Sequence, residues 1–228
     1  MPIIDVVMPA FNEAKSIALV LNDIPRALVR HIVVCDNNST DDTSAIARAH
    51  GATVVFQPLR GYGNACLKAL EWIHQQNVLP DIVVFLDSDY SDHPDEMFKM
   101  VEPLIINAFD LVIGSRALGN RERGAMQPQQ IFGNWLAITL IRWFYGYHFT
   151  DLGPFRAVTY DALQKIGMQD QTFGWTVEMQ VKAAKLKLRC MEVPVQYRRR
   201  VGISKISGTV KGTILAGYKI ILTIFKYL

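Results

Sequence analysis

Asp81-Ile-Val-Val-Phe-Leu-Asp87-Ser-Asp89 is the stretch that decides the fold. Its middle is β-branched and apolar, too short for a helix and suited to a strand buried on both faces. Two carboxylates leave its end, two residues apart. Outward from this segment the same unit recurs. Strands are predicted at 3–8, 31–35, 53–56, 81–86 and 110–114. Helices are predicted from Asn12-Glu13 to about 28, from Ser39 to Gly51, from the Arg60-Gly-Tyr-Gly63 run to Gln76, and from Pro94 to Asn107. Ser39-Thr-Asp-Asp42 has the form of a capping box, and Pro94 suits a first helical turn. Strands alternating with helices at this spacing imply an α/β fold, a parallel sheet with helices on both faces. Ligands of such sheets bind at the carboxyl ends of the strands. That rule selects 9–13, Asp36, 60–64, Asp87–Asp89 and 115–116.

Bulk properties narrow the classes. The chain has 228 residues, half of them hydrophobic, enough for one ordinary domain with a full core. A formal charge of +3 gives no argument for a nucleic-acid partner. The last quarter is nevertheless basic, with Lys182, Lys185, Lys187, Arg189, Arg198, Arg199, Arg200, Lys205 and Lys211, which suits an anionic partner. Cys35, Cys66 and Cys190 are widely separated and show no metal spacing, as expected of reduced packing residues in a cytosolic protein. Asp5 interrupts the early apolar run, so a secretory leader is not expected, and no stretch of about 20 apolar residues appears.

The second half is less regular. A helix is predicted at about 131–147, rich in Phe132, Trp135, Trp143 and Phe144, another at 176–187, a strand at 190–197, and an apolar helical tail with lysines at 211, 219 and 226.

Asp87-Ser-Asp89 admits two readings from its residues alone. Paired carboxylates beyond a buried strand are costly without a positive partner, and Mg²⁺ or Mn²⁺ with phosphate oxygens would satisfy them. A polar turn capping the next helix would serve equally. A third reading, an aspartate nucleophile for phosphoryl transfer, wants the dyad near the first strand, whereas here it ends the fourth. Arg60-Gly61-Tyr62-Gly63 resembles the start of a dinucleotide fingerprint, but Cys66 stands where the third glycine belongs. Asp81, twenty residues after Gly61, begins its strand instead of ending one. The glycines still allow close approach of backbone to a ligand.

The ordered set is Val6-Val-Met-Pro-Ala-Phe-Asn-Glu13, Val33-Val-Cys-Asp-Asn-Asn-Ser-Thr-Asp-Asp-Thr43, Gly61-Tyr-Gly-Asn-Ala65, Phe85-Leu-Asp-Ser-Asp89 and Val112-Ile-Gly-Ser-Arg116. It resembles the family 2 glycosyltransferases, and most of all their dolichyl- or polyprenyl-phosphate sugar transferase branch. The resemblance implies a GT-A fold, a Rossmann-like, mostly parallel sheet with helices on both faces. It implies a catalytic unit at 1–208 and an apolar helix at 209–228 at a membrane interface. It places Pro9, Asn12, Glu13, Asp36, Arg60, Gly61, Gly63, Asp87 and Ser88 around a nucleotide-sugar. Asp87 and Asp89 would hold Mg²⁺ or Mn²⁺. The branch often has Gln where Ser91 stands, so the third ligand is left open. Asp151, in Asp151-Leu-Gly-Pro-Phe-Arg156, falls in the active site, although this turn is one residue shorter than the family's. Glu178, in Gly174-Trp-Thr-Val-Glu178, matches an acceptor-side acid; an amphipathic helix start is its plainer reading. Glu192-Val-Pro-Val195, Arg198–Arg200 and Gly202-Ile-Ser-Lys205 resemble the branch's approach to a mobile basic loop, and a solvated strand end is the alternative.

The activity so implied is inverting transfer of a hexose from a UDP- or GDP-sugar to polyprenyl phosphate, with Arg116, Arg200 and Lys205 holding the acceptor phosphate. A hydroxyl acceptor would need a base, which Asp151 or Glu178 would supply; a phosphate would not. The alternatives are a saccharide or other soluble hydroxyl acceptor, and an inactive nucleotide-binding module. Segments 131–147 and 209–228 would meet a membrane surface at the inner, cytoplasmic face, and core packing or a homo-oligomer interface would employ them as well.

Overall fold

A computed structural model describes residues 2–202 and 210–228. The first half runs β1 (Ile4–Ala10), α1 (Ile17–Asp23), β2 (His31–Asp36), α2 (Thr43–Ala49), β3 (Thr53–Phe56), α3 (Tyr62–His74), β4 (Ile82–Phe85), α4 (Met97–Ile105) and β5 (Leu111–Ser115). The second runs α5 (Pro128–Tyr145), β6 (Arg156–Thr159), α6 (Tyr160–Ile166), α7 (Trp175–Lys185), β7 (Cys190–Pro194) and α8 (Val210–Lys226).

Among the described residues the strands form one sheet in the order β3-β2-β1-β4-β6-β5-β7. Neighbours are parallel except at β6, which lies antiparallel between β4 and β5. The central strands are buried throughout, which is why β4 reads as an unbroken apolar run and β1 as one broken only by Asp5, whose carboxylate pairs with Arg30 at 2.6 Å. Alternate residues serve two cores. Val7, Val33, Val83 and Phe85 face α3, α5, α6 and α7, with Trp175 edge-on to Phe85 at 5.7 Å. Val6, Met8, Val34 and Val84 face α1, α2 and α4.

Several predicted boundaries shift, each for a local reason. The helix expected from Asn12 begins at Ile17, because the Asn12 and Glu13 amides donate to Ser39 Oγ at 3.0 Å and Thr43 Oγ1 at 2.8 Å. Ser39 is thereby spent on that loop, and its own helix starts at Thr43. The strand expected to reach Tyr197 ends at Pro194, and Tyr197 makes single bridges to Asp92 and Arg121. Strand β6 and helix α6 were not anticipated: β6 is four residues long, opens with Arg156, and passes straight into a helix capped by Thr159.

Helix α8 packs on α5 and α7. Tyr145 donates its hydroxyl to the Ile224 carbonyl, and Phe144 meets Phe225 edge-on at 5.1 Å. The outer faces of α5 and α8 leave large apolar groups in solvent, among them Phe132 (61% exposed), Trp143 (75%) and Tyr218 (64%). No helix among the described residues is long and apolar enough to cross a membrane.

Candidate active site

The parallel strands β1, β2, β4 and β5 end on one edge, where two cavities meet. One, of about 400 Å³, is lined by Pro9, Glu13, Asn37, Arg60, Gly61, Thr172 and Ser88 among others. The second, of about 290 Å³, is lined by Arg116, Gln129, Gln130, Asn134, Trp175 and Tyr197 among others. Tyr62, Asp87, Asp89, Phe173 and Arg200 belong to both.

The shared rim is the dyad from which the sequence was read. Ser88 donates its hydroxyl to the Pro9 carbonyl at 2.8 Å, tying the end of β4 to that of β1. Asp87 Oδ1 accepts the Tyr62 hydroxyl at 2.9 Å. Burial, and then the charge of Asp89, push the Asp87 pKa up to about 7. Asp89 Oδ1 accepts the Ser91 amide at 2.9 Å and the Ser91 hydroxyl at 2.5 Å. Asp89 Oδ2 meets Arg200 at 3.1 Å, and the same guanidinium reaches Glu13 Oε1 at 2.9 Å. Asp92 lies beneath, 2% exposed; its carboxylate oxygens find no hydrogen-bond donor among the described residues. Burial, then Asp87 and Asp89, raise its pKa well above the ordinary range. Hard oxygen donors under mutual repulsion, beside a cavity, suit a divalent cation that keeps phosphate or water as further ligands. Among the described residues no cluster of three or more acidic, His or Cys side chains is placed to enclose a metal by itself. Ser91, at the position left open for a third ligand, is engaged with Asp89.

Of the residues placed around a nucleotide, Pro9, Glu13, Arg60, Gly61, Asp87 and Ser88 line the first cavity. Arg60 stacks its guanidinium over the Phe11 ring at 3.4 Å. Three others stand behind the wall. Asn12 accepts the Thr40 amide at 2.8 Å. Asp36 accepts the Ser39 amide at 2.8 Å and the Ser44 hydroxyl, so it orders the loop after β2. Asn37 instead faces the cavity, its Oδ1 accepting the Gly61 amide at 2.8 Å. Gly63 donates to the Thr172 carbonyl at 3.1 Å, and a Cβ there would lie 1.9 Å from the Asp170 carbonyl oxygen. Gly61 has φ +144° and would meet the Gln171 carbonyl at 2.1 Å. Both glycines thus let the 170–172 backbone close over the cavity.

Beside the second cavity, Arg116 and Asp151 form a fork-to-fork pair: Nε to Oδ2 and Nη2 to Oδ1, both 2.8 Å, with the Arg116 amide at 2.7 Å from Oδ2. Asp151, 1% exposed, is fully committed to this pair. Its turn is fixed by Glu192, which accepts the Asp151 amide at 3.0 Å, and by Gln180, which donates to the Asp151 carbonyl at 2.9 Å. Glu178 lines neither cavity and is 0% exposed. It accepts the amides of Gln169 (3.0 Å) and Asp170 (2.6 Å), the Tyr227 hydroxyl (2.6 Å) and Lys182 (2.7 Å). The expectation of a base at Glu178 therefore meets a sealed carboxylate. Lys205 lies outside the described residues.

Tyr62, Asn37, Asp92 and the Thr172–Phe173 wall were not singled out in the sequence. Tyr62 sits between the two quoted glycines and Asn37 next to Asp36, so adjacency was their signal. Residues 168–173 carry no motif and enter the site only through the fold.

The Glycosyl transferase family 2 model matches residues 5–167. An uncharacterized glycosyltransferase of Mycobacterium tuberculosis is 35% identical over 216 residues, 93% of this chain and 94% of that protein. The undecaprenyl-phosphate mannosyltransferase of Micrococcus luteus is 27% identical, over 90% of this chain and 88% of its own. Glucosyl-3-phosphoglycerate synthase of Mycobacterium tuberculosis, crystallised with phosphoglyceric acid, superposes with a TM-score of 0.77 at 25% identity, covering 99% of this chain and 80% of that one. Crystals of that synthase with Mn²⁺, UDP and glucosyl-3-phosphoglycerate show the same fold, with a TM-score of 0.78 at 24% identity. With a strand-end site on a mostly parallel sheet and a family match across most of its length, the chain belongs to glycosyl transferase family 2 and is a glycosyltransferase of GT-A fold.

Proposed function

We propose that the chain transfers a hexose, with inversion, from a UDP- or GDP-sugar in the first cavity to a polyprenyl phosphate entering the second. The catalytic unit is 1–208, and helix 209–228 belongs to the acceptor side. The observation that carries this reading is the state of the two acceptor-side carboxylates. Asp151 has both oxygens on Arg116, and Glu178 is sealed among four donors. Neither is free to take a proton, and an acceptor that is already ionised needs no base.

The residues divide the work. Glu13, Asn37, Arg60 and the Gly61 turn cradle the nucleotide. Asp87 and Asp89 hold Mg²⁺ or Mn²⁺, which when bound supplies Lewis-acid stabilisation of the leaving diphosphate. Tyr62 orients Asp87 through its hydroxyl. Arg116, fixed by Asp151, and Arg200, on the rim of both cavities, draw the acceptor phosphate toward the anomeric carbon. Lys205 would extend this basic set. Gly133 and Ile220 place α5 and α8 at the mouth of the second cavity. The exposed aromatics of the same helices, with Arg142 and Lys226 nearby in sequence, suit peripheral contact with an anionic lipid surface. A soluble acceptor is the second reading, favoured by the fold shared with the phosphoglycerate-bound synthase.

The test offers UDP- and GDP-hexoses with Mn²⁺ to the purified chain. The acceptors are vesicles carrying polyprenyl phosphate or, separately, 3-phosphoglycerate. Sugar in the lipid fraction, with UDP or GDP raising the melting temperature in the presence of Mn²⁺, is the expected result. Transfer to phosphoglycerate alone would overturn the lipid acceptor, and no stabilisation by any nucleoside diphosphate would overturn the donor site.

A further inference from the structure

The segment between α6 and α7 supplies one wall of the first cavity through Thr172 and Phe173. It has no strand or helix of its own to hold it, and three groups of polar contacts do so instead. On the cavity side, the Gly63 and Asn64 amides donate to the carbonyls of Thr172 and Gln171 at 3.1 and 2.9 Å. Within the loop, Asp170 Oδ1 accepts the amides of Thr172 at 2.7 Å and Gly174 at 3.0 Å. From behind, Glu178 accepts the Gln169 and Asp170 amides.

Both carboxylates are also held by α8 or the residue that follows it. Tyr227 donates its hydroxyl to Glu178 at 2.6 Å, and Lys219 pairs with Asp170 Oδ2 at 3.0 Å. Gly174 marks how closely the two segments approach: a Cβ there would lie 2.5 Å from Thr223 Oγ1 on α8. The Tyr227 and Lys219 contacts thus end on carboxylates whose remaining oxygen lone pairs fix loop amides. A half-buried ion pair adds little net stability compared with apolar packing, and the best-attested use of such polar contacts is to fix a register.

We propose that Glu178, Tyr227 and Lys219 are positioning residues for the donor site: through Glu178 and Asp170, the docking of α8 sets the placement of the Thr172–Phe173 wall and with it nucleotide affinity. The proposal rests on the donor reading of the first cavity. It links the two sides of the enzyme, because α8 also borders the second cavity through Gly217 and Ile220. A surface that grips α8 from outside therefore acts on the donor pocket without touching it.

The experiment compares the full-length chain with Tyr227→Phe and Lys219→Met, which keep the ring and the aliphatic stem while removing one polar contact each. Amide hydrogen exchange is followed by mass spectrometry, and the dissociation constants of UDP and GDP with Mn²⁺ by calorimetry. The expected result is faster exchange confined to 168–174, with the β1 and β4 peptides unchanged, and nucleotide affinity weaker by roughly 5- to 10-fold. Donor KM should rise while acceptor KM stays constant. Unchanged exchange at 168–174 in both variants overturns the proposal, as does acceleration spread over the whole chain. Faster local exchange with unaltered nucleotide affinity overturns the positioning role. If the wild-type chain binds neither nucleotide, the donor reading fails separately, and the exchange pattern still decides whether α8 holds the loop.

Discussion

Asp87 on the cleft rim, and Asp151 and Glu178 behind it, are carboxylates in opposite circumstances. Both oxygens of Asp151 lie on one guanidinium, and Glu178 collects two amides, a hydroxyl and an ammonium. Asp87 has one hydroxyl on one oxygen; burial and then the like charge of Asp89 raise its pKa against that single donor, whereas the donors around Glu178 outweigh burial and lower its pKa. The difference teaches what burial alone does not. A carboxylate saturated with protein donors is a structural post, and a carboxylate short of donors and facing a cavity is a seat for a cation.

The largest effect should come from the rim. Asp89→Ala removes one of the two carboxylates proposed as metal ligands. Turnover should fall on the order of 10²–10³-fold, the scale of losing one electrostatic contact to a transition state. Mn²⁺-dependent nucleotide binding by calorimetry should disappear with it. The fold should stand, because Arg200, its present partner, keeps a side-chain exposure of 27% and a second contact at Glu13. A variant with normal turnover would show that the rim is a polar turn after all.

Asp151→Asn should behave in the reverse order, with stability lost first. It leaves Arg116, whose side chain is 11% exposed, without its counter-charge. Breaking a buried pair from one side costs about 3 kcal/mol or more. The check is the urea midpoint at neutral pH; an unchanged midpoint would mean that the pair contributes nothing to the fold and would return Asp151 to the list of free acids.

Legibility followed the same division. The rim was readable because its residues stand at strand ends, and strand ends announce themselves by an apolar run that stops: Asp87–Asp89 after β4, Glu13 after β1, Arg116 after β5. Fold class came from the same signal repeated. The posts were not readable as posts. Glu178 matched a family acid by sequence, and only Lys182, four residues on, is linked to it by helical spacing; its other donors come from Gln169, Asp170 and Tyr227, residues that no spacing connects to it. Strand β6 escaped for a related reason. Arg156 begins it and is 0% exposed, an arrangement tolerated only because Gly153 in the preceding turn and Thr176 and Gln180 on α7 accept its guanidinium. Polar groups buried by long-range partners look like surface in a one-dimensional pattern.

The smallest and most specific effect concerns the charge on Glu178. Burial opposes ionisation there, yet Lys182, Tyr227 and the two loop amides outweigh it and hold the pKa below the ordinary glutamate value. A carboxylate whose folded pKa is depressed stabilises the protein above its unfolded pKa, about 4.3, and that contribution is lost as pH falls through the folded value. Glu178→Gln keeps the size but presents an amide NH₂ to amide donors, so at pH 7 it should cost about 1–3 kcal/mol. The gap between wild type and variant should then narrow as the pH is taken below 4, because wild-type Glu178 protonates while the glutamine does not change. Urea denaturation of both proteins at pH 7 and again near pH 3.5 measures that gap directly, and titrations elsewhere in the chain cancel in the difference. A gap that stays constant would assign the loss to shape instead of charge, and the contrast between seats and posts would then rest on Asp151 alone.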